Sequence, residues 1–354
     1  MNTIHDLLQV LKNKNDSFVL ATIIHVDGSA YRKEGAAMLF SNRGKQYGLI
    51  SGGCLETDLA YQASSMLQSA QANPEICIYD LQAEDDLTWG RGAGCNGKVH
   101  ILLEKIDEKL KKQLLSVKKQ LDRGQPVIIM TKLVHNRPTV RRTFIPVDSS
   151  QIGQRINTQL SVAKQSSQDL DLFIQQVMPN PRLIIFGAGL DAEPLANIAS
   201  TVGFSVTILD WRENRLKQTN FPHAKLVFLP NGNELSKSIS LLPTDFVVLM
   251  SHHFQKDREL LQTLINWGKC RYIGVLGPRK RTERLHNGKA LPPYIHAPVG
   301  MNIKAEGPAE IAISMVAEMI QIQRQQHKKW EVPCETTLYR GHIPRGWEQQ
   351  TIWK

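Results

Sequence analysis

The chain has 354 residues, 42% of them hydrophobic and 21% charged, with a net charge of +10. That length suggests about two domains and that composition a globular protein. No apolar run approaches the roughly 18 residues of a membrane span. The N-terminus, Met-Asn-Thr-Ile-His-Asp, shows no basic n-region ahead of an apolar core, so no signal peptide is expected.

Residues 1–15 read as a short amphipathic helix with Ile4, Leu7, Leu8 and Leu11 on one face. A strand rich in β-branched residues follows over 17–26 and ends in the turn Asp27-Gly28-Ser29. In the loop Gly28 to Gly35, Ser29 and Arg32 could bind phosphate, or the loop is a solvated turn. A hairpin-like pair is predicted at Ala36–Phe40 and Tyr47–Ile50. Ser51-Gly52-Gly53-Cys54 then leads into a helix from Leu55 to about Ser69.

Two glycines ahead of a helix can form a backbone nest for an anion. Cys54 would lie near that helix's N-terminus, where the dipole favours thiolate. The plainer alternative is a turn with a buried structural cysteine. Strands are predicted at Ile76–Leu81 and Lys98–Leu103. Between them, Trp89 to Lys98 is a second glycine-rich loop, containing Gly94-Cys95-Asn96-Gly97. It could present amides to a ligand or simply join two strands. Cys77 alternates with Ile76 and Ile78 in a strand and reads as structural.

A Lys-rich helix is predicted over 106–122, with further strands at Val127–Lys132 and Arg142–Pro146. This half, residues 1–150, reads as α+β without the alternation of a parallel sheet. Residues 147–180 are polar and end in Pro179-Asn180-Pro181. They hold a strand or helix and include the domain boundary, with 151–180 as the linker region.

From 183 the pattern changes. Leu183-Ile184-Ile185-Phe186 runs into Gly187-Ala188-Gly189-Leu190-Asp191-Ala192, a Gly-x-Gly-x-x-Ala turn between strand and helix. Strand 206–210 ends in Asp210, 21 positions after Gly189, where a carboxylate usually meets a ribose hydroxyl. Further strands at 225–229, 246–250 and 271–275, and a helix at Pro308–Gln323, complete a Rossmann-like doubly wound parallel sheet over 181–326. Met250-Ser251-His252-His253 follows a strand, at the end that faces the ligand crevice. Adjacent histidines in extended chain point opposite ways, so one of them, not a chelating pair, is placed in the crevice. Gly277-Pro278-Arg279-Lys280-Arg281 also lies at a strand end, and its cations suit a phosphate or mark an exposed helix start. Residues 327–354 read as a wrapped tail.

The five cysteines (Cys54, Cys77, Cys95, Cys270, Cys334) are scattered and form no Cys-x-x-Cys pair. A disulfide framework is not supported, and a reducing cytoplasm is the simplest compartment. The basic excess suits a small anionic ligand better than nucleic acid, because no aromatic-interleaved basic stretch occurs.

Together these segments resemble the xanthine dehydrogenase accessory factor family, XdhC/CoxI, over almost the whole chain. The resemblance rests on Gly28-Ser29 through Arg32, Ser51-Gly52-Gly53-Cys54-Leu55-Glu56 and Gly94-Cys95-Asn96-Gly97 in the first half. In the second it rests on Phe186 to Gly189, Asp210 with Arg212, Ser251-His252-His253, Tyr272 to Gly277 and Pro308 to Ser314.

The resemblance implies a non-catalytic accessory factor that binds molybdenum cofactor (molybdopterin) as cargo, protects it during sulfuration and delivers it. The implied partners are a cysteine desulfurase and a molybdenum hydroxylase such as xanthine dehydrogenase, with no nucleic acid or membrane, and the implied assembly is a homodimer. Candidate cofactor-binding residues are Ser29, Arg32, Gly52, Gly53, Cys54, Glu56, Gly94, Cys95, Gly187, Gly189, Asp210, Arg212, His252 and Arg279. Cys54 is the first choice as a molybdenum ligand and Cys95 the second. The nucleotide-type domain is expected to hold a nucleotide, NAD(P) or the cofactor's own phosphate. The alternatives are an NAD(P)-dependent oxidoreductase or a nucleotide-binding regulatory protein. Set beside the two Gly-Cys loops, the glycine turn at 187–189 reads as one wall of a crevice between domains.

Overall fold

The computed structural model describes residues 3–81, 97–134, 139–146 and 170–327. They fall into two compact units, one within Met1–Pro179 and one within Asn180–Lys329.

In the first unit, helix α1 (Ile4–Asn13) starts at a capping box in which Thr3 and Asp6 satisfy each other's backbone amides. It buries Leu7, Leu8, Val10 and Leu11. Strand β1 (Phe18–Gly28) is the centre of a five-stranded sheet with β2 (Ala37–Ser41), β3 (Gln46–Gly48), β4 (Glu75–Asp80) and β5 (Gly97–Lys105), in the order β3-β2-β1-β5-β4. Helix α2 (Glu56–Gln68) covers one face of this sheet, with Leu59, Ala63 and Met66 packed onto Val19, Ala21, Ile23 and Ile101. Helix α3 (Glu108–Asp122) is capped by Asp107, whose carboxylate accepts from the Leu110 amide at 2.6 Å. Its Leu110, Leu114, Val117 and Leu121 join the α1 residues in a second cluster on the opposite face.

A three-stranded antiparallel sheet, order β7-β6-β8, completes this unit from β6 (Val127–Val134), β7 (Thr139–Pro146) and β8 (Leu170–Val177). Strand β8 comes from the polar stretch that the sequence marks as the boundary region. Its Leu172, Phe173 and Val177 are buried, which anchors it. The two sheets are tied by a buried ion pair between Glu104 of β5 and Arg142 of β7. The expected strand Tyr47–Ile50 stops at Gly48. The amides of Ile50 and Ser51 leave the sheet to donate to Glu56 instead.

The second unit is a six-stranded parallel sheet in the order β11-β10-β9-β12-β13-β14. Its strands are β9 (Arg182–Phe186), β10 (Ser205–Asp210), β11 (Lys225–Phe228), β12 (Phe246–Leu249), β13 (Tyr272–Val275) and β14 (Ile295–His296). The inner strands β9, β12 and β13 are buried on both faces, as their unbroken apolar runs require. Strand alternation divides the core. Leu183, Ile185, Val206, Phe246 and Val248 face α4 (Ala192–Thr201) and α8 (Gly307–His327). Ile184, Phe186, Leu209, Val247 and Ile273 face α6 (Phe254–Trp267) and α7 (Arg279–Leu285). A one-turn helix, α5 (Leu235–Ser238), precedes β12. The order of strand addition reverses between β9 and β12, the place where such folds open a ligand crevice. The sequence pattern does not reveal β14, a two-residue strand.

Candidate functional site

In the first unit the Gly-Gly-Cys loop is a latched structure. Ser51 Oγ donates to Glu56 and accepts from the amides of Gly53 (3.2 Å) and Leu55 (3.1 Å). Glu56 also accepts from the Ile50 amide (3.2 Å) and the Ser51 amide (2.7 Å). Burial would push the Glu56 carboxyl up. The hydroxyl of Ser51 and the surrounding amides outweigh it and hold the group below the ordinary glutamate value. Glu56 therefore shapes the loop from inside. Gly52 and Gly53 are exposed, with open space where a side chain would stand, and Gly53 has φ +112°. Cys54 is a half-buried free thiol against the core under α2.

Ser29 is exposed and Arg32 half-buried in the turn between β1 and β2. That turn is folded back: the Gly35 amide donates to Ile23 O (2.8 Å) and the Val26 amide to Glu34 (3.1 Å). Gly97, the first residue of β5, abuts it; a Cβ there would stand 2.5 Å from Asp27 O and 2.7 Å from Ser29 N. Ala30 and Cys54 border the same buried cluster, so the Ser29 turn and the Gly-Gly-Cys loop overlie one core. Gly94 and Cys95 lie outside the described residues. Cys77 donates to Gln62 Oε1 at 2.7 Å. Its burial, with Glu75 and Asp58 nearby, pushes the thiol up to about 12. Cys270 is likewise pushed to about 12 by burial and by Asp245. Both are structural thiols.

In the second unit Gly187 (φ +118°) passes so close to the chain leaving β12 that a Cβ would stand 2.6 Å from Met250 O. The turn is pinned to the end of β10. The Gly187 amide donates to Leu209 O (2.8 Å) and the Ala188 amide to Asp210 Oδ2 (2.7 Å). Asp210 is fully buried. Its other donors are Arg212, from the amide and Nε to Oδ1 (2.8 and 2.9 Å) and from the guanidinium terminus to Oδ2 (2.8 Å). Burial works against ionisation here, but Arg212 and the two amides hold the Asp210 carboxyl below its usual value. Arg212 in turn stacks on Trp211 at 4.2 Å. The carboxylate expected on a ribose is thus committed to the protein's own chain.

Gly189 makes room for a neighbour: a Cβ there would stand 2.5 Å from Asp191 Oδ1. Asp191 does not cap α4. It reaches instead to His252, with Nε2 and Oδ2 2.6 Å apart. His252 is one of three non-glycine residues at positive φ among those described (φ 58°). That turn sends its exposed ring to Asp191, while His253 Nδ1 accepts from the Lys256 amide (3.3 Å) and caps α6. The two histidines do diverge. Behind the Asp191–His252 pair lies a cavity of ≈350 Å³ walled by Leu195, Met250, Leu276, Ile311, Ala312 and Met315. Beside it, Ser251 Oγ donates to the buried Asp257, which also takes Arg281 at 2.7 Å. Arg279 is exposed and bonded to Glu283 (3.1 Å) on its own helix. Of the basic cluster, then, Arg281 serves the fold and Arg279 the surface.

Sequence reasoning missed Asp191, Ser51 as the latch, and the cavity walls. The Ser-to-acid spacing (Ser51…Glu56, Ser251…Asp257) is a signal that could have found the latches. The cavity has none, because its residues look like any core. Among the described residues no group of three metal-ligating side chains comes together, and no helix is long and apolar enough to cross a membrane.

Comparison with known proteins covers both units. Residues 11–80 match the XdhC and CoxI family and residues 183–319 the XdhC Rossmann domain. The chain is similar to a probable xanthine dehydrogenase subunit of Bacillus subtilis, 36% identical over 334 residues, 92% of this chain and 99% of that one. It is also similar to the molybdenum cofactor insertion chaperone PaoD of Escherichia coli, 24% identical over 88% of this chain and 85% of that one. A crystal structure titled as a xanthine dehydrogenase from Bacillus halodurans superposes with a TM-score of 0.81 at 40% identity, over 96% of this chain and all of that one. With a full-length relative above 30% identity and both units matched, the chain belongs to the XdhC and CoxI family.

Proposed function

We propose that this protein is an accessory factor that binds molybdenum cofactor as cargo, shelters it during sulfuration by a cysteine desulfurase and passes it to a molybdenum hydroxylase such as xanthine dehydrogenase. The observation that carries the reading is near-full-length similarity to a protein named as a molybdenum cofactor insertion chaperone and to one named as a xanthine dehydrogenase subunit.

The residues present fit such a cargo. The exposed, uncrowded Gly52-Gly53 backbone lets a ligand approach closely. Cys54 beside it offers the soft sulfur that suits molybdenum, and the latch of Ser51 and Glu56 holds that loop in shape before any ligand arrives.

The test is to purify the chain from molybdenum-replete cells and measure bound molybdenum and pterin. A stoichiometric signal in wild type and its loss in Cys54→Ser support the reading. Absence of both metal and pterin from wild type overturns it.

A nucleotide-binding reading is favoured by the Gly187–Gly189 turn at the sheet's switch point. A dinucleotide-dependent oxidoreductase would use Asp210 on a ribose, and that residue is engaged by Arg212. Saturable binding of a nucleotide in place of pterin would favour the regulatory alternative.

A further inference from the structure

We propose that the outward face of α3 is a docking surface for an acidic helix of a partner protein, engaged by the row Lys109, Lys112, Lys119 and Arg123. The proposal goes beyond the cargo reading and does not depend on it.

Spacing sets the row. Lys109, Lys112, Ser116, Lys119 and Arg123 follow one another at intervals of three, four, three and four residues. On a helix these positions fall within an arc of about 80° and run along about 21 Å. All five are exposed. Leu110, Leu114, Val117 and Leu121 take the opposite side and are buried with the α1 residues against the first sheet. The core therefore fixes which way the row faces.

The charge on this face is not neutralised within the protein. Asp107 is taken by the Leu110 amide, and Asp122 by Lys118 at 2.9 Å. Among the described residues none of the four cations of the row has an ion pair. Glu108 remains, one carboxylate against four cations. Helix stability accounts for Lys119 and Arg123, which stand near the C-terminal end of the dipole. It does not account for Lys109 in the first turn, where the dipole disfavours a cation, or for Lys112, which repels Lys109 from three residues on. The chain keeps these two against the preference of its own helix.

The shape of the row selects the partner. Three-and-four spacing is the repeat by which one helix keeps a straight seam toward another, and charges flanking such seams choose the partner. The complement is a helix with carboxylates at the same spacing. A nucleic acid fits less well, because α3 carries no aromatic residue to interleave with its cations. A membrane surface fits less well too. An interfacial helix sinks its apolar face into lipid, and the apolar face of α3 is spent on the protein's own core. Exposed ion pairs contribute little singly, so the row acts on encounter and register more than on lifetime.

The test is fluorescence anisotropy of the full-length protein with a labelled helical peptide that carries glutamates at three-and-four spacing. The control peptide has the same composition with its glutamates spread around the helix. The patterned peptide is expected to bind at least about tenfold more tightly than the control, the combined effect of four weak pairs. Its binding should fade as salt rises from about 50 to 500 mM. Lys109→Glu with Lys112→Glu should remove the preference without lowering the melting temperature, since carboxylates suit the start of a helix. Lys112→Gln with Lys119→Gln, which only removes charge, should weaken binding in the same sense. A peptide with lysines in place of the glutamates at one end should bind the charge-reversed variant better than the wild type. Equal binding of the two peptides, or undiminished binding to both variants, overturns the proposal. Tighter binding of single-stranded DNA or of phosphatidylserine vesicles, lost in the same variants, also overturns it, in favour of a nucleic acid or a membrane.

Discussion

Glu56 shows how a residue quoted for its motif acquires a physical role. Its carboxylate is the centre of the Gly-Gly-Cys latch and its titration is depressed, with burial opposing and the Ser51 and backbone hydrogen bonds prevailing. A depressed folded-state value means that the contribution to stability is fully present above the ordinary glutamate value. It is lost as pH falls through the lowered one. Glu56→Ala should therefore cost about 1–3 kcal/mol at pH 7, since buried amides lose their acceptor. The difference from wild type should shrink as acid is added, in urea unfolding measured over a pH series. A gap that stays constant to pH 3 would contradict the latch. The thiols give a second residue-level test. Cys77 and Cys270, raised to about 12 by burial and nearby carboxylates, should resist alkylation at pH 8 in the native protein and react fully in denaturant, read by mass spectrometry.

At the scale of elements, the two glycines of the 187–189 turn separate packing from ligand geometry. Gly187 meets the backbone of Met250 and Ser251, just past β12, which cannot move aside, and carries a positive φ besides. Gly187→Ala should destabilise the fold by about 3 kcal/mol or more. Gly189 meets only the end of the Asp191 side chain. Gly189→Ala should leave the melting temperature within a few degrees of wild type while displacing the Asp191 carboxylate from His252. If both variants melt alike, the close approach of Gly187 is wrong. In the first unit, Arg142 and Glu104 join the two sheets with side chains only 9% and 6% exposed. Arg142→Met strands a buried carboxylate and should cost about 3–5 kcal/mol in urea unfolding. The same substitution combined with Glu104→Leu should recover much of it.

At the scale of the whole molecule, each unit has cores of its own. Those of the second lie on the two faces of its parallel sheet. Residues 180–329 expressed alone should unfold cooperatively in urea, with coincident transitions by circular dichroism and tryptophan fluorescence. Non-cooperative loss of signal would mean that the unit borrows its core from elsewhere.

The inner strands of the parallel sheet were legible because β9, β12 and β13 are short apolar runs flanked by turn residues, whereas the two-residue β14 was not. The glycine turn was legible because only glycine tolerates those approaches. The family was legible from Gly52-Gly53-Cys54-Leu55-Glu56 together with the second-half motifs. Local pattern determined these, since each depends on residues close in the chain.

Only the tertiary structure decided that Asp210 is spent on Arg212, that Arg281 is spent on Asp257, and that Asp191 turns to His252. These outcomes depend on side chains from distant segments competing for the same partners. A carboxylate's spacing from a glycine does not say which donor reaches it first. An apolar residue reads the same in sequence whether it packs against a neighbour or lines a cavity.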